Sequence, residues 1–186
     1  MARRIEVRAP ARIDLAGGWT DVPTYCGKKS GEVVNIAINQ YVRAEMVIDE
    51  DRKLSVSYTT DMPTGSGLGT SGAMNVGFIT TIMSEFQDVL ETAELAYQFE
   101  ALLGNKGGRQ DQWASVLGGI NHLTFKEEFV TFETITPSDK FCQWLENNLL
   151  LFNSHITHTS GDLHKSVWRR FEAGDQEIVR GLDMIR

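Results

Sequence analysis

Only two cysteines, Cys26 and Cys142, stand in these 186 residues, and they lie far apart. Such a pair makes no C-x-x-C unit and no zinc-ligand spacing, which excludes a disulfide scaffold and a cysteine-held metal finger. The thiols read as reduced and cytoplasmic. Basic residues are in deficit: 18 Lys and Arg face 25 Asp and Glu, for a net charge of −7 and a pI near 5.1. That balance argues against a general nucleic-acid binder or a protein that lies on an anionic membrane. No apolar run approaches the roughly 20 residues that span a bilayer. The opening Met-Ala-Arg-Arg-Ile-Glu-Val-Arg is basic but has no apolar stretch behind it, so it does not read as a secretory leader. Repeats and low-complexity tracts are missing as well. What remains is ordinary globular composition, 41% hydrophobic and 23% charged. The length suits one domain with a real core and part of a second.

Glycine, by contrast, is concentrated. Four of the seventeen fall within eight positions of Pro63-Thr64-Gly65-Ser66-Gly67-Leu68-Gly69-Thr70-Ser71-Gly72. A strand-like segment, 54–60, precedes this run, and a helical stripe of Ala73, Val76, Ile79, Ile82, Met83 and Phe86 follows it. Thr70 or Ser71 is the expected N-cap. The run therefore places a bare loop at a helix N-terminus, where unpartnered N–H groups and the helix dipole favour an anion, most often a phosphate. A plain Gly-rich turn is the simpler alternative. The P-loop pattern fails because the loop has no Lys. Gly67-x-Gly69-x-x-Gly72 fits the dinucleotide fingerprint, but that fingerprint needs a βαβ setting. A nucleophile elbow also misses, since Ser71 sits in Gly-Thr-Ser-Gly-Ala.

Residues 5–9 alternate as a strand that Pro10 should end. Residues 12–21, Arg-Ile-Asp-Leu-Ala-Gly-Gly-Trp-Thr-Asp, begin strand-like and run into a Gly-Gly turn bearing Trp19 and Asp21. A ring beside a carboxylate suits a sugar, whose C–H face meets the ring while its hydroxyls donate to the acid; simple packing of the Trp is the alternative. Residues 32–37 and 41–49 read as two further strands. Lys28 and Lys29 between the first strands read as solvated surface. A second helix over 93–103, capped by the Asp88-x-x-Glu91 region or Thr92, should bury Leu95, Ala96, Phe99 and Leu102, with Gly104 at its C-terminal end. Glu100, near that end, reads on its own as a solvated acid. Asp111 opens a short helix over 110–117, closed by Gly118-Gly119, among Lys106, Arg109, Gln110 and Gln112; it is a cap or a working carboxylate. A hairpin over 120–125 and 129–135, a helix from Pro137 to 147 with Phe141, Trp144 and Leu145 on one face, and a buried strand over 149–152 follow. His155, His158 and His164 match no standard zinc spacing. The remainder, 167–186, is helical with a break at Gly174.

The glycine loop resembles the P-x-G-[SA]-G-L-G-[ST]-S signature of the GHMP kinases at nearly every position. Residues 12–21 resemble the first signature of that family, closest to its fucose and heptose kinase branch. Gly107-Gly108-Arg109-Gln110-Asp111-Gln112 resembles the segment that bears the family's catalytic Asp, and Glu100 stands eleven residues before Asp111, the spacing of the family's Mg²⁺-binding Glu. The resemblance implies an α+β fold: a ribosomal protein S5 domain 2-like ATP-binding domain over 1–147, known for a left-handed βαβ crossover, and the start of a ferredoxin-like C-terminal domain over 148–186. It implies transfer of the γ-phosphoryl of ATP to a hydroxyl, most readily the anomeric one, of a sugar or sugar phosphate. Pro63, Gly65, Ser66, Gly67, Leu68, Gly69, Thr70 and Ser71 would wrap the ATP phosphates. Ser71 and Glu100 would hold Mg²⁺, Asp111 and Arg12 would be catalytic, and Trp19, Asp21 and Gly108 would seat the sugar. Thr157, Thr159 or Asp162 would also face the acceptor. No nucleic acid or membrane partner is implied, and monomer and homodimer stay open. Three departures stand out. Gly72 replaces the family's usual Ser or Ala, the link between 54–60 and the loop is shorter than usual, and the family's third, downstream Gly-rich signature is absent. A catalytically silent sugar-and-ATP sensor and a dinucleotide oxidoreductase are the rival readings.

Overall fold

The computed structural model describes residues 2–63, 65–83, 88–105, 107–153 and 160–186, with side chains described from residue 165 in the last segment. Its frame is a five-stranded sheet. The long central strand β2 (Gly31–Ile48) runs antiparallel to β1 (Arg3–Ala16), from Arg3 opposite Ile48 to Ala16 opposite Val34. On its other edge β2 pairs with two strands in line. β3 (Leu54–Thr60) lies along 42–48 and β4 (Ile120–Lys126) along 31–36, and β5 (Phe129–Ile135) completes a hairpin with β4. Between β3 and β4 the chain makes three helices: α2 (Thr70–Ile82), α3 (Val89–Leu102) and α4 (Gln110–Leu117). The short α1 (Pro23–Cys26) joins β1 to β2, and α5 (Asp139–Asn148), α6 (Ser160–Glu172) and α7 (Gln176–Ile185) follow the sheet.

This mixed α/β architecture meets the expected fold class, with two differences. Every strand pair among the described residues is antiparallel. β3 and β4 share a direction but lie end to end on β2, so the expected crossover has no side-by-side parallel pair to join. For the same reason the Gly67-x-Gly69-x-x-Gly72 match lacks the βαβ unit that a dinucleotide site requires, and the oxidoreductase reading falls with it.

Local expectations were met where the signal was local. β3 and α4 keep their anticipated limits, and Gly118 and Gly119 both take positive φ. Pro10, however, does not end β1. It stays in the ladder opposite Tyr41, and the register shifts between Pro10 and Arg12; an edge strand tolerates a residue without an N–H. Residues 32–37 and 41–49 belong to one strand, because β1 spans both. α2 is capped by Gly69 in the left-handed region, not by Thr70 or Ser71. That helix ends at Ile82, and Phe86 lies outside the described residues. α3 starts at Val89, capped by Asp88, whose side chain accepts from the Leu90 N–H. Its buried face is Thr92, Ala93, Ala96 and Glu100, while Leu95 and Leu102 stay exposed. Residues 149–152 form no strand and are exposed, Phe152 by 83%. An apolar run becomes a strand only where a ladder partner accepts it, and none is recorded here. Phe141 and Trp144 of α5 likewise remain largely outside.

Three clusters make the core. One joins β1 and β2 to α2 through Ala9, Val42, Ala73 and Val76. A second packs Val33, Leu123 and Phe125 against Trp113. The third holds Val22 and Tyr25 against Trp168, Phe171 and Leu182 of α6 and α7. No helix among the described residues is long and apolar enough to cross a membrane.

Candidate active site

A cleft of about 520 Å³ opens where the end of β1, the turn after it, the glycine loop, the end of α3 and the start of α4 converge. The glycine loop forms one wall. Gly65, Gly67 and Gly69 alternate at φ +74°, +78° and +71°, a backbone that only glycine adopts at little cost. No side chain caps α2 and its own first turn holds no acid, which leaves its N-terminal N–H groups without a side-chain cap. Gly65, Ser66, Gly67, Gly69, Thr70 and Ser71 line the cleft. Pro63 and Leu68 do not: Pro63 is exposed, and the Leu68 side chain packs on the core while its carbonyl accepts from the Arg12 N–H at 3.0 Å.

At the floor, the Ser71 hydroxyl donates to Glu100 Oε1 at 2.8 Å. Asn105 Nδ2 donates to the same oxygen and Gln112 Nε2 to Oε2, each at 2.5 Å. Glu100 is therefore not a solvated acid. It is 8% exposed, and its charge is held by three donors from α2, α4 and the loop before α4.

Arg12 ties the glycine loop to the acid on α4. Its Nε and Nη2 reach Asp111 Oδ1 at 2.9 and 2.6 Å, and its Nη1 donates to the Gly67 carbonyl at 2.6 Å. Both contacts use Oδ1. The other oxygen, Oδ2, faces Gly69, where an added Cβ would stand 3.3 Å away.

The third wall is the turn after β1. Thr20, fully buried, donates to the Gly17 carbonyl at 2.7 Å and accepts from the Glu32 N–H at 3.0 Å. That lock presents Trp19 and Asp21 to the cleft. Asp21 Oδ2 accepts from the Gln110 N–H at 3.0 Å. Burial pushes the Asp21 carboxyl up to about 6, against the lowering effect of that hydrogen bond and helped by the nearby Asp111 charge. Gly108 is required here, since a Cβ on it would collide with the Asp21 carboxylate.

Sequence reasoning passed over Asp14. Its carboxylate lines the cleft, accepts from Gln110 Nε2 at 3.1 Å, and is raised above the ordinary carboxylate range by burial. The signal was available: on a strand, residues 12 and 14 share a face. Gln110 thus holds Asp21 with its backbone and Asp14 with its side chain. Tyr97 and Asn105 were also passed over, and both line the cleft. Arg109, expected near Asp111, turns away. It donates to the Glu128 carbonyl at 2.9 Å and lies over the Tyr97 ring at 4.8 Å. Lys29 and Lys28 lie at the surface as expected, Lys29 paired with Asp183 and Lys28 over the Phe171 ring. Lys106, His155, Thr157, His158 and Thr159 lie outside the described residues, as do the side chains of Asp162 and His164. Among the described residues no group of three or more His, Cys, Asp or Glu is placed to hold a metal ion.

Residues 32–119 match the GHMP kinases N-terminal domain. The D-glycero-alpha-D-manno-heptose 7-phosphate kinase of Campylobacter jejuni is 26% identical over 235 aligned positions, covering 99% of this chain and 69% of that protein. The alignment is longer than this chain, so the Campylobacter protein has internal residues without a counterpart here. The L-fucokinase/L-fucose-1-P guanylyltransferase of Bacteroides fragilis is 24% identical over 82% of this chain and 24% of its own length. A crystal structure of a D-glycero-D-manno-heptose 1-phosphate kinase from Bacteroides thetaiotaomicron superposes with a TM-score of 0.63 at 23% identity, over 80% of this chain and 63% of that one. At that identity the likeness is one of fold. The chain spans about two thirds of the heptose kinases and about a quarter of the fucokinase.

Proposed function

We propose that this chain, whose residues 32–119 form a GHMP kinase N-terminal domain, transfers the γ-phosphoryl group of ATP to a sugar hydroxyl. The acceptor is the anomeric hydroxyl of a fucose-like sugar or of a heptose phosphate, the substrates named for the relatives. The observation that carries the reading is Arg12, which bonds the Gly67 carbonyl and the Asp111 carboxylate at once. It holds the acid of α4 beside the glycine loop, which supports transfer from a phosphate on the loop to an acceptor at the acid.

Phosphoryl transfer asks a protein chiefly for positioning and charge neutralisation. The glycine-loop and α2 N–H groups would receive the phosphate oxygens. Asp111 Oδ2 would take the hydroxyl proton as the sugar oxygen bonds to the γ-phosphorus and the bond to the ADP oxygen breaks. Arg12 would hold the Asp111 carboxylate in place and meet the charge of the transferring group. Asp21 would accept from a sugar hydroxyl, with Trp19 against the C–H face and Gly108 leaving the room. Ser71 Oγ and Glu100 Oε1, 2.8 Å apart, are the hard oxygen donors that would hold Mg²⁺. Mg²⁺ bound there would neutralise phosphate charge. The reading includes a cytoplasmic setting, small-molecule partners only, and a division of the chain after residue 147.

ADP release with Mg-ATP and either L-fucose or D-glycero-D-manno-heptose 7-phosphate tests it, with thermal shift in parallel. Sugar-dependent ADP release is expected. Stabilisation by both ligands without turnover would instead identify a silent sensor, and stabilisation by neither would end the sugar-kinase reading.

A further inference from the structure

Trp19 holds φ +80°, a left-handed backbone that a bulky aromatic residue rarely adopts. Strain of this kind persists only where the surroundings impose it, and it gathers at ligand clamps. On the backbone side the imposition comes from the buried Thr20 lock described above. On the side-chain side it comes from a distant helix. The Trp19 ring packs against Trp168 of α6 with centroids 5.8 Å apart and planes tilted by 43°. Trp168 meets Phe171 edge-on at 6.0 Å, and Phe171 lies 5.6 Å from Tyr25, two residues past the Val22-Pro23 start of α1. Tyr25 donates to Asp183 of α7 at 2.7 Å. Helices beyond residues 32–119 thus close a cluster around the turn that presents Trp19 and Asp21. Trp19 lines the cleft, whereas Trp168 is buried behind it and does not.

We infer that Trp168 is a positioning residue for the acceptor: it fixes the Trp19 ring as the apolar wall of the sugar half of the cleft. Trp168 then sets acceptor affinity without touching the acceptor. A Trp ring that is already immobilised need not be ordered when the sugar arrives, so the binding gain is kept. Removing the partner ring removes an aromatic pair and loosens the Trp19 ring. The nucleotide half rests on α2 and α3, which contribute nothing to this cluster. The inference depends on the sugar reading above.

The test compares Trp168→Ala, Trp168→Leu, Trp168→Phe and Leu182→Ala in the full chain. Calorimetry measures affinity for L-fucose and for D-glycero-D-manno-heptose 7-phosphate with Mg²⁺ and a non-hydrolysable ATP analogue present, and separately for the analogue alone. Trp168→Ala should weaken the sugar that the parent binds by about five- to tenfold, with analogue affinity within about twofold. Trp168→Phe should restore most of it. Leu182→Ala, in the same cluster but with no ring to lay on Trp19, should lower Tm and leave sugar affinity alone. Trp168→Leu gives the same answer as Ala if the Ala variant fails to fold. Unchanged sugar affinity in Trp168→Leu, or an equal loss in Leu182→Ala, overturns the inference alone. A parent that binds neither sugar overturns the function proposed above, and the inference with it.

Discussion

Gly72 lies against Asp111: a Cβ on Gly72 would stand 2.5 Å from the Asp111 Cβ and 3.1 Å from its carbonyl carbon. Helices α2 and α4 touch through this glycine, at the step where one begins beside the phosphate-side loop and the other carries the acid. The departure from the usual Ser or Ala at this position is thus a packing requirement. Gly72→Ala should separate the two helices. Alanine is the better helix former by about 1 kcal/mol, but overpacking against backbone costs about 1–3 kcal/mol. A net loss of stability in urea melts is expected, together with a drop in turnover. A variant as stable and active as the parent would show that the helices can part freely.

Glu100→Gln tests the buried acid. Ser71, Asn105 and Gln112 all donate to it, so a Gln there must turn its own NH₂ toward a donor. Leaving a buried donor unpaired costs about 1–3 kcal/mol. The expected result is a lower Tm without nucleotide and a Mg²⁺ titration displaced to higher concentration. Parent-like values in both measurements would return Glu100 to a passive role.

Asp111→Asn keeps an oxygen for Arg12 and removes the proton acceptor. Turnover should fall by about 10²–10⁴-fold, the usual range for a general base. Affinities for Mg-ATP and sugar should change far less, because the glycine loop and Asp21 are untouched. Normal turnover would leave Asp111 as a structural partner of Arg12.

Asp21 predicts opposite pH trends for binding and stability. Its carboxyl is raised from 3.8 to about 6 by burial, so the folded chain holds this proton more tightly than the unfolded chain. The stability it contributes is full below pH 3.8 and is lost as pH rises through 6. On the proposed role of Asp21 as acceptor from a sugar hydroxyl, sugar binding should weaken as pH falls through 6. Asp21→Asn should therefore be at least as stable as the parent at pH 7, bind sugar poorly, and lose the pH dependence of binding near 6. A melting curve and a calorimetric titration at pH 5 and pH 7.5 check both signs.

Much of the site was legible in order along the chain. The three alternating glycines, the turn with Trp19 and Asp21, the helix that opens on Gln110 and Asp111, and the Gly118-Gly119 stop are local features. Each follows from φ preferences, caps and periodicity within about ten residues, and each stands where the residues placed it. The spacing of Glu100 before Asp111 pointed to a shared site, but not to burial, because the charge of Glu100 is held by donors from three separate segments.

Local preferences along the chain set most of the helices and turns and the chemical character of the cleft. The tertiary structure decided the pairings. Arg12 meets Asp111 across 99 positions, and Trp168 reaches Trp19 from the far end of the chain. It decided too that β3 and β4 share one edge of β2, and that residues 149–152 stay exposed without a ladder. Backbone preferences act over a few residues, whereas hydrogen-bond partners, buried charge and ring contacts depend on which distant segments the packing brings together.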